Sequence, residues 1–176
     1  MFSIADERSL TEALFLDVKM LTVAAPNGST FERVVVRHPG AVCVVAVHDG
    51  DVLLINQYRA PVDEMLLELP AGKLDVEGED PAVAAVRELE EEIGFTAGSV
   101  ELLVSFYTGP GFTDELIHLY VADDLTPVEA RPHGVEEEAA EVVRVPLGRA
   151  MDMIAEGQIR DAKTILGLQA ALLARQ

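Results

Sequence analysis

The segment from Asp80 to Gly94 constrains this chain more than any other, because its two ends and its two faces are all legible in the residues. Asp80 is a good N-cap, Pro81 suits the first helical position, where a backbone N–H is not needed, and Gly94 suits the left-handed conformation just past a helix end. Ala82, Val86, Leu89 and Ile93 recur at spacings of four, three and four, which predicts one apolar stripe packed on a sheet. At about 100° per residue, Glu88, Glu91 and Glu92 fall within an arc of roughly 100° on the side away from that stripe, while Glu90 points elsewhere. Carboxylates at i,i+3 and i,i+4 repel by roughly a few tenths of a kcal/mol per pair, so the cluster calls for solvent or a cation. Arg87 is placed to pair with Glu91 four residues on. Hard oxygen donors on a rigid helix suit Mg²⁺ or Mn²⁺.

An acidic run alone is usually a solvated helix face, so its flanks decide. Upstream, Leu69-Pro-Ala-Gly72 closes an apolar segment, Gly72 and Gly78 permit a tight loop, and Glu79 precedes the cap. The unit therefore reads as strand, loop and helix. Before it, Phe15–Val23 and Phe31–Val36 are strand-like and separated by Pro26-Asn-Gly28, which predicts a hairpin. Ala41–Val47 and Val52–Asn56 flank an Asp49-Gly50 turn signal. Further strands are expected at Met65–Leu69, Val100–Tyr107, Leu116–Val121 and Val142–Val145, and helices at Leu147–Ala155 and Asp161–Ala174, the last with Ile165, Leu168 and Leu172 as its apolar face. Strands interleaved with helices predict an α/β fold, helices covering both faces of one mixed β-sheet. No repeat or linker divides the 176 residues, so the expectation is one domain with an N-terminal appendage.

Charge and cysteine content exclude several function classes. Thirteen Lys and Arg against 31 Asp and Glu leave a net charge of −18, a poor surface for nucleic acid, whose binding rests on basic contacts to phosphate. A small anionic substrate stays compatible, because a bound divalent cation inverts the local sign of a carboxylate-rich site. The single Cys43 excludes an internal disulfide and any multi-cysteine zinc site, and its apolar surroundings predict a core thiol. No apolar run approaches the about 18 residues of a membrane helix, and the N-terminus lacks the pattern of a signal peptide, so the expectation is a soluble cytoplasmic protein without a membrane partner.

Glu79, seven residues, then Arg87-Glu-Leu-Glu-Glu-Glu-Ile-Gly-Phe95 resembles the box of the Nudix hydrolases, in which a glycine, five residues, a glutamate and seven residues precede Arg-Glu-apolar-x-Glu-Glu-x-Gly-apolar. Here six residues separate Gly72 from Glu79, an insertion that alters the loop and leaves the mutual spacing of the acids unchanged. The resemblance implies a Nudix-type α/β/α sandwich and Mg²⁺, with Mn²⁺ as an alternative. Glu88, Glu91 and Glu92 would be ligands, Glu79 would support the site, and the carbonyl of Ala71 would add a donor. Arg87 would belong to the catalytic group as a partner of the acids.

Segments outside the box resemble the ADP-ribose pyrophosphatases of that family: Gln57-Tyr-Arg59, Glu68-Leu-Pro-Ala-Gly72, Gly109-Pro-Gly-Phe-Thr-Asp-Glu115 with Pro110 sixteen residues after Gly94, and Gly157-Gln-Ile-Arg-Asp-Ala-Lys-Thr164. The resemblance implies hydrolysis of ADP-ribose to AMP and ribose 5-phosphate. Arg59 would reach a substrate phosphate, and Glu68, Gly111 and Phe112 would join the substrate site. It also implies a homodimer paired through residues 1–38 as an N-terminal β-hairpin arm on a domain of residues 39–176, with Arg33 or Arg37 contacting substrate. The general base would lie in the acidic loop Gly134–Glu141. Counting back three residues from Glu141, which with Val142 aligns with an acidic-apolar pair in the family, gives Glu138. Glu136, Glu137 and Glu141 lie within a small shift of that position, and Glu91 remains if none of them acts. The alternatives are a Nudix pyrophosphatase for another nucleotide sugar or a dinucleotide, and an ADP-ribose sensor that does not cleave; the complete set of box acids argues against the sensor.

Overall fold

The computed structural model describes residues 1–174. The chain opens with three antiparallel strands, β1 (Ser3–Ala13), β2 (Leu16–Ala24) and β3 (Thr30–Arg37), which form a sheet of their own. The expected hairpin is β2–β3: Gly28 takes φ 85°, and Asn27 Oδ1 accepts from the Ser29 N–H at 3.1 Å, so the turn closes as Pro-Asn-Gly dictates. The additional strand β1 is exposed along its whole length. Its sequence, SIADERSLTEA, offers no apolar alternation, and the ladder to β2 holds it in place of burial.

The central sheet runs β12-β5-β4-β10-β9, built from β4 (Ala41–His48), β5 (Asp51–Arg59), β9 (Ser99–Tyr107), β10 (Leu116–Asp123) and β12 (Glu141–Pro146). Only β4 and β10 pair in parallel, so the sheet is mixed. Asp49 and Gly50 both have positive φ, the two-residue turn that matches strand twist, and join β4 to β5. The ladder between these two strands lasts only from Val47↔Val52 to His48↔Asp51. Beyond it, β6 (Glu64–Glu68) takes over pairing with β5 and β7 (Ala71–Lys73) takes over pairing with β4. The segment Glu68–Gly72 is thereby carried into the middle of the sheet.

Strand β4 is apolar on both faces because helices cover both. Val42, Val44 and Ala46 join Leu53, Ile55 and Tyr120 beneath α1 (Pro81–Glu88). Ala41, Cys43 and Val45 join Leu54, Leu119 and Val145 beneath α3 (Leu147–Ala155) and α4 (Ala162–Ala174). Each buried Val or Leu contributes about 1.5–3 kcal/mol, so two such layers define the sandwich. Burial pushes the Cys43 thiol up to about 12, which leaves it inert. Short strands β8 (Phe95–Thr96) and β11 (Thr126–Pro127) pair with each other, and a four-residue helix, α2 (Val135–Glu138), stands in the expected acidic loop. No described helix is long and apolar enough to cross a membrane.

Candidate active site

Helix α1 begins as its residues require: Asp80 accepts from the Ala82 N–H at 2.8 Å and Pro81 takes the first position. Its apolar stripe differs from expectation. Ala84, Ala85, Leu89 and Ile93 are buried, Ala82 packs at the margin and Val86 is half-buried outside the cluster, because two alanines let the helix axis approach the sheet closely. The last turn, Leu89–Ile93, is π-helical and ends at Gly94, φ 68°, whose N–H returns to the Leu89 carbonyl. This widened turn changes the expected arc of acids. Leu89 and Ile93 stay in the core while Glu92 turns inward and its Oε2 accepts from the Ala71 N–H at 2.8 Å.

The acids do not face open solvent, as the helical wheel suggests. Glu88 is buried against β7, where a Cβ on Gly72 would collide with its carboxylate. Arg87 ties the acids together: Nε and Nη2 donate to Glu79 at 3.0 and 2.9 Å, and Nη1 donates to Glu88 at 2.7 Å and Glu91 at 2.9 Å. Bonding to Arg87 holds the Glu79 carboxyl below its ordinary pKa, and bonding to Glu79 first, with Glu88 and Glu91, raises Arg87. Burial raises Glu88 against the pull of Arg87. Burial pushes Glu92 up to about 8, reinforced by Glu88 and Glu137 and opposed by the Ala71 N–H. Among the described residues no three acids already converge as a metal cluster, since Arg87 Nη1 lies between Glu88 and Glu91 and Glu92 is turned to Ala71. The donor chemistry nevertheless fits a hard divalent cation: Glu88 and Glu92 are desolvated carboxylates, Glu92 has no ion-pair partner among the described residues, and the glycine at position 72 leaves room for the Glu88 carboxylate.

A cleft of about 1080 Å³ passes over this helix, and Arg59, Ala71, Gly72, Glu88, Glu91 and Glu92 line it together with Arg87. Other expected residues do not line it. Glu68 lies beneath Arg59, 1% exposed, and Glu79 lies behind Arg87. Arg37 is bound to Asp114 at 2.9 Å and Glu7 at 2.7 Å, joining the first sheet to the Gly109–Glu115 loop. Arg33 sits over the Phe31 ring, and Gly111 and Phe112 form an exposed loop tip whose Phe112 carbonyl accepts from the Val36 N–H. Glu138, expected as the base, is exposed and does not line the cleft, whereas its neighbours Glu136 and Glu137 on α2 do. Glu137 is half-buried and accepts from the His133 N–H at 2.6 Å.

Several lining residues escape sequence reasoning. His38 reaches the cleft from the end of β3, its Nδ1 accepting from the Gly40 N–H and its Nε2 lying 3.6 Å from Glu115, which also accepts from Thr108. His133 Nε2 lies 3.7 Å from Glu91. Lys163, Glu115 and Gln57 fall within the segments that carry the resemblance, which was a signal; His38 and His133 carried none of comparable strength.

The α/β/α sandwich and the acid-bearing helix at its cleft define an enzyme of the hydrolase class. A model of the NUDIX domain matches residues 36–167, and the chain belongs to the Nudix family. It is 45% identical over 148 residues to the methanol dehydrogenase activator of Bacillus methanolicus, covering 84% of this chain and 80% of that protein. It is 41% identical over 155 residues to the ADP-ribose pyrophosphatase of Bacillus subtilis, covering 88% and 83%. A solved structure of an ADP compounds hydrolase shares the fold with a TM-score of 0.82 at 27% identity, covering 97% of this chain and 91% of that one. GDP-mannose pyrophosphatases, such as that of Yersinia enterocolitica at 42% over 130 residues (70% of this chain, 67% of that protein), are also among its relatives.

Proposed function

We propose that this enzyme cleaves the diphosphate bond of a nucleoside diphosphate sugar with Mg²⁺ at the acid-bearing helix, and that ADP-ribose is its preferred substrate, giving AMP and ribose 5-phosphate. One observation carries the reading: metal-suited carboxylates and a cleft-lining guanidinium, Arg59, share one cavity of about 1080 Å³, roomy enough for a nucleotide sugar. The ADP-ribose pyrophosphatase among the relatives supports the sugar, and the GDP-mannose pyrophosphatases define the competitor to test.

Glu88, Glu91 and Glu92, with the Ala71 carbonyl, would hold Mg²⁺; Mn²⁺ suits the same donors. When bound, the cation offsets diphosphate charge and lowers the pKa of a coordinated water. Glu79 acts from behind, through Arg87. Arg59 offers Nη1 to a phosphate oxygen. Glu137 takes the proton, a role moved here from Glu138, because Glu137 lines the cleft and its charge bears on both Glu88 and Glu92. Residues 1–38 are a dimerisation arm on a domain of residues 39–176, supported by the separate sheet and the exposed β1. Arg33 and Arg37 would then serve the partner's cleft, since neither lines their own. The net charge of −18 argues against a nucleic-acid partner, and a buried, unreactive Cys43 accords with the cytoplasm.

The test is a panel of ADP-ribose, ADP-glucose, GDP-mannose and a nucleoside triphosphate incubated with the purified protein and Mg²⁺, with products identified chromatographically. The highest kcat/KM is expected for ADP-ribose. Faster cleavage of GDP-mannose would move the substrate, and no cleavage of any diphosphate would overturn the reading.

A further inference from the structure

Arg59 is held from beneath by an acid that the substrate cannot reach. Pairing of β5 with β6 brings Glu68 beneath Arg59 at 1% exposure, where its Oε1 and Oε2 accept from Arg59 Nε and Nη2 at 2.7 and 2.6 Å. The ammonium of Lys163 pairs with the same Oε2 and with Asp161 at 3.1 Å. Asp161 caps α4 by accepting from the Thr164 N–H at 2.9 Å and from its hydroxyl at 2.6 Å. The Thr164 hydroxyl oxygen in turn accepts from the Leu69 N–H at 2.8 Å. The end of β6 and the start of α4 are thus locked to each other through one buried circuit.

Burying a carboxylate this deeply is unfavourable unless cations and hydrogen bonds surround it, and a well-packed apolar pair would often be as stable. What the ion cluster adds is direction. Glu68 occupies the Nε–Nη2 edge of the guanidinium, and among the described residues Nη1 has no protein partner. We propose that Glu68, anchored by Lys163 and the cap of α4, is a positioning residue that fixes Arg59 so that Nη1 meets a phosphate oxygen of the substrate. This rests on the reading of Arg59 as a phosphate contact.

A double-mutant cycle tests it, with steady-state kinetics on the fastest nucleotide sugar of the panel and thermal melts of every variant. Glu68→Gln is expected to raise KM about tenfold, the size of a charged hydrogen bond lost in ground and transition state alike, with kcat little changed. In an Arg59→Ala background the same substitution should change KM less than about twofold, because the residue it acts through is gone. Glu68→Asp keeps the charge beside Lys163 and withdraws the carboxylate from Arg59, so it should repeat the pattern even if Glu68→Gln fails to fold. An equal KM increase in both backgrounds would show that Glu68 acts on substrate or on the fold directly and would overturn the proposal. If Arg59→Ala alone left KM and kcat at wild-type values, the phosphate role of Arg59 would fall, an outcome distinct from failure of the positioning.

Discussion

Gly72→Ala isolates the contact between β7 and the acid-bearing helix. Gly72 does not use left-handed φ, so the backbone accepts alanine, but the added methyl would overlap the Glu88 carboxylate. Glu88 must then rotate away, giving up its 2.7 Å bond from Arg87 Nη1. Overpacking of this kind costs about 1–3 kcal/mol, and the flexible end of Glu88 keeps the figure toward the lower part of that range. For a chain of this length each kcal/mol lowers Tm by about 2–4 °C, so the variant should melt roughly 2–8 °C lower while remaining folded. Function should suffer far more. A displaced ligand or its support costs about 10- to 100-fold in metal affinity or activity, read as a higher Mg²⁺ midpoint and a lower kcat/KM. Gly78→Ala is the control: its φ of 77° imposes about 1–2 kcal/mol of strain, and nothing within 4 Å meets the new methyl. The two alanines should therefore cost similar stability and differ in turnover. If Gly72→Ala kept kcat/KM and the Mg²⁺ midpoint within twofold of wild type, the placement of Glu88 at the metal would be refuted.

Gly167→Ala gains about 1 kcal/mol of helix propensity but sets a methyl against Leu69 and within 3.3 Å of Leu119 and Val45, an overpacking cost of about 1–3 kcal/mol; the melting temperature should fall, and a rise would refute the tight approach of α4. Gln variants at Glu136, Glu137 and Glu138 assayed in parallel should show the largest kcat loss at Glu137, about 10²- to 10⁴-fold, and a collapse at Glu138 instead would restore the sequence-based assignment. Burial alone would raise the pKa of Glu68, but bonding to Arg59 and the charge of Lys163 outweigh it and hold the carboxyl below its ordinary value. A depressed folded pKa stabilises the protein above the unfolded value of about 4.3 and loses that contribution as pH falls through the folded value. The Tm gap between wild type and Glu68→Gln should accordingly narrow below about pH 4.3, and a constant gap down to pH 3 would contradict the charge assignment.

Elements whose stability comes from burial or from a special backbone angle were readable in the chain. The run Ala41–Val47 had to be a strand covered on both faces, and Asn27-Gly28, Asp49-Gly50 and Gly94 had to turn where they do. β1 was not readable, because an exposed strand paired on one edge needs only backbone hydrogen bonds, and Ser3–Ala13 carries polar and charged residues on both faces. The same reasoning covers β7 and α2, which are too short for a period to register. The π-turn at Leu89–Ile93 is a different case: the local residues suit an ordinary α-helix, and the wider turn accompanies a bond from Glu92 to Ala71, 21 positions away.

The acids between Glu88 and Glu92 were legible as a cluster because their spacing lies within one helical segment, although the π-turn at Leu89–Ile93 alters the arc that an ordinary α-helix predicts. Their environment was not, since Glu88 owes its burial to Gly72 on another strand. Contacts that depend on two segments meeting were not legible, and Glu68 was expected to join the substrate site itself. Glu68 and the Gly157–Thr164 segment were both singled out, yet the circuit joining them spans 95 positions and exists only because β6 enters the sheet beside β5 while α4 packs across it. Glu138 illustrates the converse. A one-residue shift within a single turn of helix moves a side chain by about 100°, so an alignment good to within one residue cannot choose between Glu137 and Glu138, and of the two it is Glu137 that lines the cleft. The spacing of the candidate catalytic groups in this chain is therefore written locally, and their surroundings are set by long-range packing.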